Sequence, residues 1–287
     1  MYKNKKTLYF FLLPAFFFMV MFLYYPFFVN IYNSFFDMSG LVGERRFIGL
    51  ENYITLLYDA KLHTAVINSF KMMAVTIVVQ VGFAFVLALM VDSIKIGNQF
   101  FRTTFFFPIV ISATAIGLLF NLMYNYYGGA FNQILARFGL DPVMWLSEKN
   151  AFLMISIPVA WQYVGFYFVI FLTGLGNISE DIYEAAVVDG ATGLQKIFKI
   201  TIPLMRNVIV VCLILGITGA LKVFDLPWVI APHGAPSGAT FLGGTYMYET
   251  TFALSNVDYG STLAFFIVIL GVVVSQITNL IFKKADY

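Results

Sequence analysis

Apolar runs separated by short polar connections recur along the whole chain, and most are close to the ~20 residues that an α-helix needs to cross a bilayer. They predict six spans, over about 8–28, 68–91, 104–124, 151–174, 207–230 and 261–282, within one transmembrane domain covering 1–287. The predicted fold class is an all-α integral membrane protein. The first run follows Lys3, Lys5 and Lys6 as a secretory signal would, but it is longer than a signal core, lacks a small-x-small cleavage site and is rich in Phe and Tyr, so it reads as a span with kinks at Pro14 and Pro26. Residues 37–67, 125–150 and 231–260 form the predicted outer loops. In the third, Pro232 and Pro236 prevent a continuous helix.

The long polar interruption at 177–205 carries its own local instructions. Asn177 or Ser179 suits a helix N-cap, Glu180 and Asp181 suit the first turn, and Ile182, Ala185, Ala186 and Val188 give an apolar face. Gly190 can take the positive φ that ends a helix sharply. A second short segment at 194–199 follows, and Pro203 fits the first turn of the next apolar helix. The unit predicted is helix, turn, helix and membrane re-entry.

Composition agrees. Hydrophobic residues make up 60% of the chain and charged ones 11%, with a mean hydropathy of +0.84, outside the soluble range. A net charge of +2 gives no basic stripe for nucleic acid. The single cysteine, Cys212, lies in an apolar run and excludes an intrachain disulfide. Lys3, Lys5, Lys6, Lys95, Arg102, Lys196, Lys199, Arg206, Lys283 and Lys284 fall on one side of the predicted membrane, against Arg45, Arg46, Lys61, Lys71, Arg137 and Lys149 on the other. The excess puts both termini and the 177–205 loop in the cytoplasm.

That loop resembles the EAA loop in permease subunits of binding-protein-dependent ABC importers. The match is Glu184-Ala185-Ala186, Asp189-Gly190-Ala191, Phe198 and Ile200-Thr201-Ile202-Pro203, with Ile202 where the family usually has Leu. Phe47-Ile48-Gly49-Leu50-Glu51-Asn52-Tyr53 resembles a marker of the carbohydrate importers, and otherwise reads as an amphipathic helix capped near Asn52. Gly128-Gly129, Asn132, Leu140 and Trp145-Leu146, and then Phe224-Asp225 with Gly234-Ala235-Pro236, extend the likeness over nearly the whole chain. Ala231 and Ala235 depart from it.

The resemblance implies a type I importer permease in a prokaryotic cytoplasmic (inner) membrane, similar to the larger permease of the maltose type. It implies a second, non-identical permease, two copies of a cytoplasmic ATPase on the EAA loops, and an extracytoplasmic solute-binding protein that delivers a carbohydrate, an oligosaccharide by preference. No cofactor is expected in this chain, ATP and Mg being held by the ATPase. No enzymatic activity and no attached regulatory domain are expected.

Polar groups near the middle of apolar spans are the candidate chemistry. Gln80 lies in the second span and Trp161, Gln162 and Tyr163 in the fourth, with Tyr167 one turn on. Aromatic faces beside an amide suit a sugar ring and its hydroxyls, and equally suit helix packing. Lys222 and Asp225, three apart on one face of the fifth span, read either as a pair lining a hydrated cavity or as an interfacial pair with Lys222 snorkelling. Trp145 reads as an interfacial anchor. There is no G-x-x-x-x-G-K-[ST] motif, so ATP hydrolysis belongs elsewhere. His63 and His233 lack partners at metal-binding spacing. The rival class is an ion-coupled secondary transporter of a small solute, for which Asp225 is the one deep acid.

Overall fold

A computed structural model describes residues 5–38, 45–94 and 97–283. The inside assignments of Lys3, Lys95, Lys284 and both chain ends fall outside those residues. Five helices are long and apolar enough to cross a membrane, or six if one sharply bent pair counts as a single span. The chain forms two compact units, residues 1–62 with 246–270 and residues 63–245 with 271–287.

In the first unit, α1 runs over residues 5–33 and loosens to π-helical geometry at Val20–Tyr24. That widened turn immediately precedes Pro26, which has no N–H to return to the preceding turn, so the change of register absorbs the lost donor. A two-stranded antiparallel hairpin follows, Phe36–Met38 (β1) against Arg45–Phe47 (β2). It is an addition to an otherwise helical chain. Arg45 fixes it, its guanidinium lying over the rings of Tyr32 and Phe36 and 4.0 Å from the buried Asp258 carboxylate.

Asn52 does not cap a helix. Leu50 holds the N-cap position of α2 (Glu51–Tyr58), and the Asn52 amide donates to the carbonyls of Ser34 and Phe36, both at 3.0 Å. Asn52 therefore ties α2 to the end of α1. The predicted first outer loop is largely helical, because α3 begins at Ala60 and runs to Asp92. Lys61, inside the predicted loop, lies on that helix, and Lys71 lies on it within the predicted span.

In the second unit, α7 (Ala151–Leu175) is the central rod. Phe168 and Phe171 pack with Ala84, Ala88, Met205 and Cys212, while Ile155 and Val159 pack with Met72, Ile116 and Leu226. Pro158 deprives the Met154 carbonyl of its helical donor, and the Tyr124 hydroxyl replaces it at 3.0 Å.

Two predicted spans are broken. The run at 104–124 forms α4 (Asn98–Val110) and α5 (Ala113–Tyr124), bent by 90°. Ile111 and Ser112 are extended there (ψ 139 and 132), just after Pro108. A short helix, α6 (Ala130–Arg137), follows α5. The run at 207–230 forms α10 (Arg206–Leu221) and, beyond a break at 222–224, α11 (Asp225–Ile230). Residues 180–204 hold two further short helices, α8 (Glu180–Val188) and α9 (193–204). Residues 243–253 form α12, and α13 spans Val257–Lys283.

Candidate functional site

The broken helices create the polar interior of the second unit. A cavity of about 310 Å³ is lined from α3 by Thr76 and Gln80, from α7 by Gln162, Tyr163, Phe166 and Tyr167, and from the α10–α11 break by Lys222, Phe224 and Asp225. Residues 76–82 of α3 are π-helical. The Gln80 amide donates to the Val159 carbonyl of α7 at 3.0 Å, so Gln80 is tied to the scaffold. Gln162 donates its Nε2 to the Ile111 carbonyl at 3.2 Å, a carbonyl left free by the bend between α4 and α5. Its Oε1 is buried without a hydrogen-bond partner, and so is the Thr76 hydroxyl.

Lys222 and Asp225 do not share one helical face. Lys222 caps the end of α10, Asp225 opens α11, and no ion pair within 4.0 Å joins them. The break at 222–224 turns the chain between them, so each presents its charge at the cavity. Trp161 lies elsewhere, in an apolar groove with Phe83, Phe105 and Val164, against Phe120 at 6.0 Å. Trp145 donates its indole N–H to Asn132 at 3.0 Å, a loop tie that sequence alone did not show.

The second surface is the hook at 177–205. Ser179 caps α8 by accepting the Asp181 N–H at 3.3 Å. The helix ends in a left-handed turn: Gly190 has φ +75, its N–H reaches the Val187 carbonyl at 3.0 Å and the Ala191 N–H reaches that of Ala186 at 2.9 Å. Thr192 and Gln195 then cap α9 reciprocally. The Tyr183 hydroxyl lies 3.1 Å from that of buried Thr201, joining the two short helices.

Pro203 lies in the last turn of α9, one break before the re-entering helix starts at Arg206, and not in that helix's first turn. Of the expected apolar face only Ala186 is buried. Ile182, Val188 (87% exposed), Leu194 and Phe198 (66% exposed) point away from the chain, and Glu184, Ala185 and Asp189 are exposed with them. The hook is thus internally fixed and externally unpartnered.

Residues 72–286 match the family described as binding-protein-dependent transport system inner membrane component. The chain belongs to that family. This inner-membrane component is 34% identical to the probable ABC transporter permease protein YurN of Bacillus subtilis, covering 98% of this chain and 97% of that protein. It is 32% identical to the trehalose/maltose transport system permease protein MalF of Thermococcus litoralis, over 94% of this chain and 95% of that one. It is 30% identical to the arabinooligosaccharides transport system permease protein AraP of Bacillus subtilis, over 96% and 88%. A crystal structure of a bacterial ABC transporter involved in the import of the acidic polysaccharide alginate contains a chain of the same fold, with TM-score 0.88 and 22% identity over 98% of this chain and 96% of that one.

The inner-membrane component therefore places its candidate residues in two groups. Gln80, Gln162, Tyr163, Tyr167, Lys222 and Asp225 converge on one cavity, and Glu184 to Pro203 lie on the hook. Thr76 was missed from sequence, although its position four residues before Gln80 on α3 puts both on one helical face.

Proposed function

We propose that this chain is one pore-forming half of an ATP-driven importer that takes a carbohydrate, an oligosaccharide by preference, from an extracytoplasmic binding protein. The observation that carries the reading is the hook: its short helices are capped and bonded to each other, yet Phe198, Leu194 and Val188 have nothing to pack against within the chain. Apolar side chains on a fixed element of that kind fit a separate cytoplasmic partner, and an ATPase dimer is the partner that gives the importer its motor. A second, non-identical permease completes the pore. Its presence accounts for α1, whose most apolar stretch buries nothing within this chain.

The carbohydrate assignment rests on the relatives' transport of arabinooligosaccharides and of trehalose and maltose, and on cavity chemistry that fits them. The phenol faces of Tyr163 and Tyr167 stack on sugar C–H surfaces and the Gln162 amide meets hydroxyls. In the proposed cycle, ATP closes the ATPase dimer, the hook follows it as a rigid lever, and the spans rock to open the cavity outward; hydrolysis resets them. In this reading both termini face the cytoplasm, the orientation that the Lys and Arg distribution favours.

The test is uptake of labelled oligosaccharide into vesicles containing the assembled importer and its binding protein. Uptake that needs internal ATP, is blocked by vanadate and is indifferent to collapse of ion gradients is the expected result. Uptake driven by an ion gradient without ATP would establish the secondary-transporter reading instead.

A further inference from the structure

Thr76 is an exception among helical hydroxyl residues. In a helix, Ser and Thr ordinarily donate to the carbonyl one turn back, and Thr173, Thr218, Thr250, Thr251 and Thr278 all do so, at 2.7–3.0 Å. Thr76 begins the π-helical stretch of α3 and makes no such bond. Its side chain is 2% exposed, its methyl group would lie 3.1 Å from a Cβ at Gly216, and its hydroxyl is an orphan at the cavity wall.

Gln162 is the other orphan there. It is 4% exposed, and its Nε2 is committed to the Ile111 carbonyl. Turning the amide over would set two oxygens against each other, so the unpartnered atom is the acceptor, Oε1. Each such buried polar atom costs about 1–3 kcal/mol. A valine at 76 would remove the first cost, whereas a leucine at 162 would trade the second for an orphaned Ile111 carbonyl, so the penalty at Thr76 is the one the sequence could shed without losing a bond.

We infer that Thr76 and Gln162 are the specificity-determining pair of the permeation cavity, hydrogen-bonding a hydroxyl group of the transported solute. The inference rests on the carbohydrate reading of the cavity and divides its residues by role. Gln80, whose amide is spent on Val159, positions α3 against α7. Gln162 Oε1 accepts a hydrogen bond from a solute hydroxyl, and the Thr76 hydroxyl donates or accepts one. In the conformation seen here both atoms are sealed from water, so the contacts form when the cavity widens during the transport cycle. A solute without a hydroxyl donor leaves Gln162 Oε1 orphaned and is rejected.

The test uses the assembled importer in vesicles with trehalose, maltose and arabinotriose as probes, comparing wild type with Thr76→Val and Thr76→Ser. Thr76→Val keeps the shape of the side chain and removes the hydroxyl. It is expected to raise KM for uptake about tenfold, with kcat within about twofold. Thr76→Ser restores KM. The melting temperature of the purified Thr76→Val protein is expected to equal or exceed that of wild type, because a buried orphan has been deleted. A lower melting temperature overturns the assignment whatever the uptake. An unchanged KM beside working wild-type uptake overturns it and leaves the import reading intact. A wild-type importer that moves none of the three sugars sinks the carbohydrate reading.

Discussion

Gln80 and Gln162 look alike in sequence, each an amide in the middle of an apolar run, and their roles separate only by what each nitrogen and oxygen touches. Asp59 makes the same point in the first unit. It caps the start of α3, its Oδ1 accepting the N–H groups of Lys61 and Leu62 at 2.9 and 3.1 Å, while Oδ2 accepts the hydroxyls of Tyr246 and Tyr259, each at 2.6 Å. Partial burial pushes its carboxyl upward, but the two phenols and two backbone donors outweigh this and hold it below the ordinary value of 3.8.

A carboxylate whose pKa is lowered by folding adds stability above its unfolded value, and that stability drains away as pH falls through the folded one. The clamp is therefore intact at neutral pH and weakens only in strong acid. Tyr246→Phe and Tyr259→Phe are each expected to cost about 1–2 kcal/mol, and the double variant less than the sum of the two. Thermal unfolding in detergent at neutral pH checks this; strict additivity would show that the phenols do not share the carboxylate. Nothing in the sequence announced Asp59, because its partners lie 187 and 200 residues away.

Hydropathy counts apolar residues and is blind to direction. It placed an apolar run over 104–124 and could not show the 90° turn inside it; Pro108 was the local hint, and the bend is held from outside, by Gln162 on the Ile111 carbonyl. The break at 222–224 was hidden in the same way, since Val223 and Phe224 extend the apolar run while leaving the helix. The hook was more legible because its signals are local: Ser179 and Gly190 act within a few residues of themselves, and only the Thr192–Gln195 capping box was left for the structure to show.

Packing between α4 and α7 turns on Gly165, where any Cβ would collide with the Phe105 carbonyl oxygen. A backbone atom cannot step aside as a side chain can. Gly165→Ala is expected to destabilise the protein by about 3 kcal/mol, whereas Gly193→Ala, with open space around it, changes little. Melting temperatures of the two variants in one detergent decide the matter, and equal values would show that α4 and α7 are not in close contact.

At the scale of the whole molecule, the surfaces left bare are as informative as those that are packed. α1 carries exposed aromatic residues from Tyr9 to Tyr25, and the hook exposes Phe198 and Val188. In the cycle proposed above, an element fixed by its own hydrogen bonds and apolar on its free side is the one that would pass movement of another subunit to the spans. The cavity lies between helices interrupted by two breaks and a π-helical stretch, irregular backbone of the kind a membrane protein tolerates where it lines a cavity. Cysteine at position 198 tests this most directly. In the assembled importer, Phe198→Cys is expected to cross-link to the ATPase subunit and to resist a membrane-impermeant thiol reagent added outside intact cells; labelling from outside, or cross-linking to the extracytoplasmic binding protein, would contradict the account.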